Sequence, residues 1–374
     1  MLSFRYQSLQ HNDSVRLLAL HPSLHDSDPI RCTIQHARLS DTFLKFEAVS
    51  YTWGNAAQTQ VIYFHNGTRE LHVGHNCYNA LRQLRHKHED RLLWIDAICI
   101  NQNNLQERAR QVRIMSEIYS RAAKVLVILG ASNANYGPLF EELAAADEEL
   151  LRTGDCDREP PSEAVLRLLE DLFQHSWFKR VWVLQEVCSK SSVQFFCGSA
   201  SFSYTSLEKL YFGYRGTVVT RIYWPIALRW IGSQPEEFSS TQLNLWHLLG
   251  KTREYLATDP KDRVFALQSL TGPERSVMDL LIDYAQSTEE CFTEVAKFLL
   301  LVPGAVRPGH TICIFSGASS ACALRELPDG RWALISGDCH IFMENSEFLE
   351  YGYVFLCDEY IACNQDKNEE FILR

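Results

Sequence analysis

A chain of 374 residues, 46% hydrophobic and 22% charged, can bury a full core and make two domains or one large one. Its formal net charge of -10 argues against a dedicated nucleic-acid binder, which needs a basic footprint. The opening MLSFRYQSLQHNDSV lacks an apolar core long enough for a signal peptide, and no later run approaches the roughly 18 residues of a membrane span, so a soluble, cytoplasmic protein is expected. The twelve cysteines include no C-x-x-C pair and read as reduced packing residues, with no metal site expected.

In chain order, Val15–Leu20 and Ile30–Leu39 read as strands, and Phe43–Val49 as a third that runs into Ser50-Tyr51-Thr52-Trp53-Gly54. A strand followed at once by hydroxyls, two aromatics and a glycine is either a tight turn or a ligand edge. Val61–His65 and Thr68–Val73 flank Asn66-Gly67, a strong hairpin signal. Asn76 caps a helix through Leu84.

The stretch Leu92–Gly130 is the clearest. Two apolar runs, one ending in Asp96 and one in Gly130, enclose Leu105, Ala109, Val112, Met115, Tyr119 and Ala122 at helical steps of three and four. Asn104 and Glu107 form a capping pair at the start of that helix, whose exposed side carries Arg108 and Arg110. This is a β-α-β unit with parallel strands, and ligands in such sheets sit beyond the carboxyl ends of the strands. Asp96 falls at that edge, where it either holds a ligand hydroxyl or caps the turn.

An acidic helical segment follows, then TGDCDREPPSE as a flexible insertion and an amphipathic helix at Ser162–Gln174. Ser176 caps a further helix, WFKRVWVLQEVCSK, ahead of a strand at Val193–Cys197. Trp182 and Glu186 stack on one face of it, with Lys179 a turn earlier, and a carboxylate on so apolar a helix is an unusual placement. An ion pair with Lys179 or Arg180 is the structural explanation, and a functional carboxylate the other. Beyond Ser240, helices are predicted at Leu243–Tyr255, Lys261–Leu270 and Glu289–Leu301, and strands at Arg331–Ser336 and Tyr351–Cys357. Gly250-Lys251-Thr252 lacks the earlier glycine of a phosphate loop, and Asp338-Cys339-His340 lacks the spaced ligands of a metal site.

Three blocks, FEAVSYTWG, LLWIDAICINQNNLQERARQVRIMSEIYSRAAKVLVILG and WFKRVWVLQEV, closely resemble the fungal heterokaryon incompatibility (HET) domain, and they occur in that family's order. The resemblance implies an effector of non-self recognition that triggers programmed cell death. The order of strand ending in Asp, helix, strand ending in Gly and W-x-x-x-E helix is also similar to the Toll/interleukin-1 receptor (TIR) domain, some of whose members hydrolyse NAD.

By that likeness Glu186 is the catalytic carboxylate and Trp182 an aromatic of its pocket. Tyr51, Thr52, Trp53 and Gly54 would line the adenine side, and Asp96 would meet a ribose hydroxyl. NAD would be a substrate, with no bound cofactor. The departure from the TIR pattern is an insertion of about forty residues between Gly130 and Trp177.

The expected fold is α/β. A TIR-like domain over residues 1-200, with a mostly parallel sheet, extra N-terminal strands and an insertion near 131-176, precedes an α+β region over 201-374. Self-association and a separate protein that sets specificity are the partners implied. A non-enzymatic, self-assembling interaction module and a nucleotide-binding sensor without chemistry are the alternatives.

Overall fold

Uninterrupted apolar runs such as LLAL and VLVIL, with no polar side to show to water, must sit inside a sheet, and that is where they lie. The structure, a computed structural model, describes residues 2–55, 57–130, 134–153, 162–187, 192–212, 225, 227–228, 245–271, 282–300, 310–314, 320–326 and 332–340. Two compact units are distinguished, Met1–Gln242 with Lys251–Thr258, and Leu243–Gly250 with Asp259–Arg374.

In the first unit the strands are β1 (Leu2–Ser3), β2 (Ser14–Leu20), β3 (Arg31–Arg38), β4 (Glu47–Tyr51), β5 (Thr59–Phe64), β6 (Arg69–Gly74), β7 (Arg91–Trp94), β8 (Lys124–Gly130), β9 (Val193–Cys197) and β10 (Ala200–Ser203). They form one sheet in the order β1-β6-β5-β3-β2-β7-β4-β8-β9-β10. The half that carries the candidate site, β7-β4-β8-β9, is parallel throughout. Antiparallel pairs β2/β3, β2/β7 and β5/β6 extend it on the N-terminal side, and β9/β10 closes the other end.

β7 connects to β8 through α2 (Asp96–Cys99), α3 (Leu105–Arg113) and α4 (Met115–Arg121), with β4 lying between the two strands. Helix α1 (His75–Leu84) buries Cys77, Ala80, Leu81 and Leu84. After β8 come α5 (Gly137–Thr153), α6 (Glu163–Leu172) and α7 (Trp182–Val187), and α8 (Tyr204–Phe212) follows β10.

Several elements differ from expectation. Asn76 is not a cap: α1 begins after Gly74, and Asn76 turns its amide toward the end of β4 instead. Asn104 does cap α3, accepting from Glu107 N at 3.0 Å, but Glu107 does not reciprocate. Its carboxylate is drawn to Arg16, so Glu107 and Gln111 are buried where Leu105, at 46% exposure, was expected to be. The helix also breaks at Ile114, and Arg108 and Arg110 are half-buried, not solvated.

The helix expected from Trp177 to Lys190 is a 3-10 turn (Ser176–Lys179), an extended residue Arg180 and the short α7. The backbone of residues 179–181 is engaged by a distant strand-like residue, Leu256, and so cannot stay helical. Lys179 therefore leaves the face shared by Trp182 and Glu186. The third predicted strand starts four residues late, because Asp41 turns the chain by accepting from Phe43 N.

The second unit contains α9 (Leu245–Lys251) up to Gly250, α10 (Asp262–Phe265), α11 (Thr288–Leu300) and an antiparallel sheet of β11 (His310–Ile314), β12 (Ser320–Glu326) and β13 (Trp332–His340). Asp259 accepts from Lys261 N as the chain enters α10. The buried Lys261 ammonium donates to the carbonyls of Tyr284 and Gln286, at 3.2 and 2.8 Å. The strand predicted at Tyr351–Cys357 and most of TGDCDREPPSE lie outside the described residues. Among the described residues no helix is long and apolar enough to cross a membrane.

A buried ion pair organises the N-terminal side. Arg16, with 0% exposure in the middle of β2, grips the Glu107 carboxylate at 2.6 and 3.0 Å and also donates to the carbonyls of Cys99 and Gln7. Glu107 further accepts from Asn101 N at 2.7 Å. Burial alone would raise its pKa, but Arg16 and the Asn101 N–H reverse the sign and hold it low. Removing one partner strands the other charge inside, so Glu107→Gln is expected to cost about 3–5 kcal/mol in urea denaturation, and a loss below about 1 kcal/mol would contradict this.

Candidate functional site at the carboxyl edge of the parallel strands

Parallel β4 and β7 run toward one sheet edge, with Trp94 at the end of β7 opposite Ala48 and β4 continuing to Tyr51, so the residues that follow each strand lie at that edge. From the β7 side comes Asp96, at the start of α2, where one carboxylate oxygen accepts from Ala97 N at 2.7 Å. The other accepts from the indole N–H of Trp53 at 2.8 Å. Asp96 thus caps the turn, and it also fixes the loop after β4. Gln102 serves the same turn, donating to Asp96 O at 2.9 Å.

The loop itself is held by α1. Asn76 Nδ2 donates to Thr52 O at 2.8 Å, and Gly54 follows at φ +76, a backbone region that favours glycine. A β-carbon on Gly54 would stand 2.6 Å from Asn76 Nδ2, so both the turn and the close approach require glycine. Trp53 is left 44% exposed at the tip. Tyr51 points the other way: its ring is buried, its phenol meets the Cys77 thiol of α1, and burial pushes its pKa up. Only its carbonyl reaches the edge.

From the far side α7 brings Glu186. This carboxylate is 3% exposed and accepts a hydrogen bond from the Ser50 hydroxyl, which itself accepts from the buried indole N–H of Trp177 at 2.7 Å. Arg180 Nη1 donates to Tyr51 O and stands 3.9 Å from Glu186 Oε1. Trp182 is half-buried one turn ahead of Glu186 on α7. Ser176 does not cap a helix; its hydroxyl donates to Thr52 Oγ1 at 3.2 Å.

Tyr51 O, Trp53, Asp96 and Glu186 therefore converge, joined by two groups to which the sequence alone assigned no role at the edge. Ser50 was read only as part of a hydroxyl-rich turn, and Arg180 only as an ion-pair candidate. The signal for Arg180 was a cation inside the apolar string WFKRVWVL.

The electrostatics follow from burial. Desolvation raises the Glu186 pKa to about 7, opposed by the Arg180 charge and the Ser50 hydrogen bond and reinforced by the Asp96 charge. Asp96 is also raised by desolvation, against Arg180, the Trp53 indole and the Ala97 N–H. One guanidinium thus serves two carboxyls that disfavour each other's ionisation.

Farther along the same edge, Tyr136 donates to Asp171 at 2.6 Å and lies 3.2 Å from His175 Nε2, whose Nδ1 is 3.0 Å from Leu129 O. The buried Cys197 thiol completes this second polar group, 4.0 Å from His175 Nε2. Cys32, Cys77, Cys99, Cys197 and Cys291 are free and buried, and no cluster that could hold a metal occurs among the described residues.

A carboxyl whose pKa is raised on folding contributes stability that is fully present below its unfolded value of 4.5 and is lost as pH rises through about 7. Glu186→Gln cannot ionise and escapes that loss. Its stability relative to wild type is expected to climb between pH 5 and pH 8 by up to about 3 kcal/mol, read by denaturation at each pH; a flat difference would contradict the shift.

Comparison with known proteins places these residues in a family. Residues 46–186 match the family model described as Heterokaryon incompatibility protein (HET), an interval that ends on Glu186. The chain is 31% identical over 239 residues to heterokaryon incompatibility protein 6, OR allele, of Neurospora crassa. That alignment covers 52% of this chain and 35% of the relative, so the chain spans about a third of the length of the curated protein it matches. No solved structure matches the chain significantly. Ser50, Trp53, Asp96, Arg180 and Glu186 all fall inside the matched interval, which makes residues 46–186 a HET domain.

Proposed function

We propose that this protein is an effector of heterokaryon incompatibility, in which recognition of an unlike partner cell ends in programmed cell death. The observation that carries this role is the HET match over residues 46–186 together with the similarity to an incompatibility protein of Neurospora crassa. Self-association and a separate specificity partner belong to the same proposal.

For the chemistry, we infer cleavage of the N-glycosidic bond of NAD, on the TIR-like order of the elements. The bond between ribose C1′ and the pyridinium nitrogen breaks, and its electron pair leaves on nicotinamide. Water bonds to C1′ and gives up a proton, yielding ADP-ribose. Positive charge grows on the ribose as the ring departs, and a carboxylate beneath it stabilises that charge. Glu186 is the group for this task, with Asp96 beside a ribose hydroxyl. Thr52, Trp53 and Gly54 form the outer wall, Tyr51 contributes its carbonyl, and Trp182 is an aromatic of the same pocket. The support is convergence: two carboxyls and an exposed indole meet at the edge where open parallel sheets bind ligands.

The 3% exposure of Glu186 favours a second reading, in which the Ser50–Glu186–Arg180 contacts only pin α7 and the domain works as a non-enzymatic assembly module. Purified protein and expressing cells separate the two. Under the enzymatic reading, wild type releases nicotinamide from NAD, and folded Glu186→Gln loses this by on the order of 100-fold while cellular NAD is spared. Killing by wild type with no fall in NAD, or full turnover by Glu186→Gln, would remove the proposed chemistry.

A further inference from the structure

Arg180 is the part of the site best placed to control it. It occupies the single extended position between the 3-10 turn and α7, with φ -85 and ψ 135, so its direction depends on what holds the backbone there. That hold comes from the other end of the unit. Val181 N donates to Leu256 O at 3.0 Å and Leu256 N to Lys179 O at 2.5 Å, a parallel bridge centred on Arg180. Tyr255, next to it, accepts from Ala227 N at 3.3 Å, which anchors the segment in turn. Leu256 itself is 58% exposed, so its backbone, not its side chain, does the holding.

The result is a cation seated against Glu186, beside the Trp53 loop and the Asp96 turn that bonds it, with its side chain only 17% exposed. A ligand approaching the two carboxyls past Trp53 meets a guanidinium already in place. Two carboxylates without it would leave an excess of negative charge at a sheet edge, which attracts a cation and repels an anion.

We infer that Arg180 competes with the positively charged group of the ligand for the two carboxyls, and that residues 251–258 keep it in that position, so the structure is the closed state of the site. The ligand class follows: a flat cation, of which the pyridinium ring of NAD is one, able to stack on Trp53 while its charge replaces that of Arg180. The inference rests on the reading of this edge as a ligand site, but not on turnover.

The test is binding of 1-methylnicotinamide, a permanently charged pyridinium, and of neutral nicotinamide, to the full chain by calorimetry. Arg180→Gln is expected to bind the cation at least about tenfold more tightly than wild type, with no such gain for nicotinamide, because a like charge has been removed. Arg180→Lys, which keeps the charge, should stay near wild type. Equal cation affinity in wild type and folded Arg180→Gln, or an equal gain for nicotinamide, would overturn the inference.

If Arg180→Gln does not fold, Leu256→Pro takes its place, since it removes the N–H donated to Lys179 at an exposed position. It should raise cation affinity several-fold and speed amide exchange over residues 180–186; unchanged affinity would overturn the inference. Absence of NAD cleavage beside a tenfold gain in cation binding would sink the reaction and support the gate.

Discussion

Everything at the carboxyl edge depends on how a nearly water-free carboxylate, Glu186, is satisfied. Charge in such a place is costly unless a donor and a counter-charge are both supplied. Here the donor is Ser50 from the last turn of β4 and the counter-charge is Arg180 from an extended break before α7. Those two requirements explain several otherwise unrelated features. Ser50 must itself be oriented, and the Trp177 indole does so from the 3-10 turn. Arg180 must be aimed, and the bridge to Leu256 aims it. Together they tie α7 to β4 and bring the third block of the HET match onto the first.

The supply is incomplete, since one guanidinium faces two carboxyls. Burial prevails over Arg180 at both, which leaves Glu186 poised between acid and carboxylate near neutral pH. A group in that condition responds to small changes around it: movement of Arg180, arrival of another cation, or ionisation of Asp96. Perturbed carboxyls of this kind gather at functional sites, though ion-pair networks also produce them. The Arg16–Glu107 pair in the same unit is the contrasting case, where five hydrogen bonds to a pair of charges give a carboxylate held firmly ionised and a structural role.

Much of this was legible in the sequence, and the limits have a physical origin. Local periodicity disclosed β8, α3, α4, α6 and the hairpin around Asn66-Gly67, because each is fixed by neighbours a few residues away. The W-x-x-x-E spacing on α7 and the edge position of Asp96 were legible for the same reason. What could not be read were pairings across long separations. Nothing near Arg16 in the sequence points to its partner Glu107, 91 positions later. Asn76 looked like a cap, and Gly54 like an ordinary turn glycine, until the two were brought into contact. Residues 251–255, read as the end of a helix from Leu243, belong with residues 256–258 to the first unit, where Leu256 stops the expected Trp177 helix from forming.

What distinguishes a ligand site from a mere structural tie is whether Glu186 becomes reachable. A crystal structure of the protein soaked with ADP-ribose reads this most directly. The expected result is the ribose over an uncovered Glu186 and against Asp96. Sugar bound elsewhere, while Glu186 remains closed beneath Ser50 and Arg180, would contradict the assignment of this edge as the site.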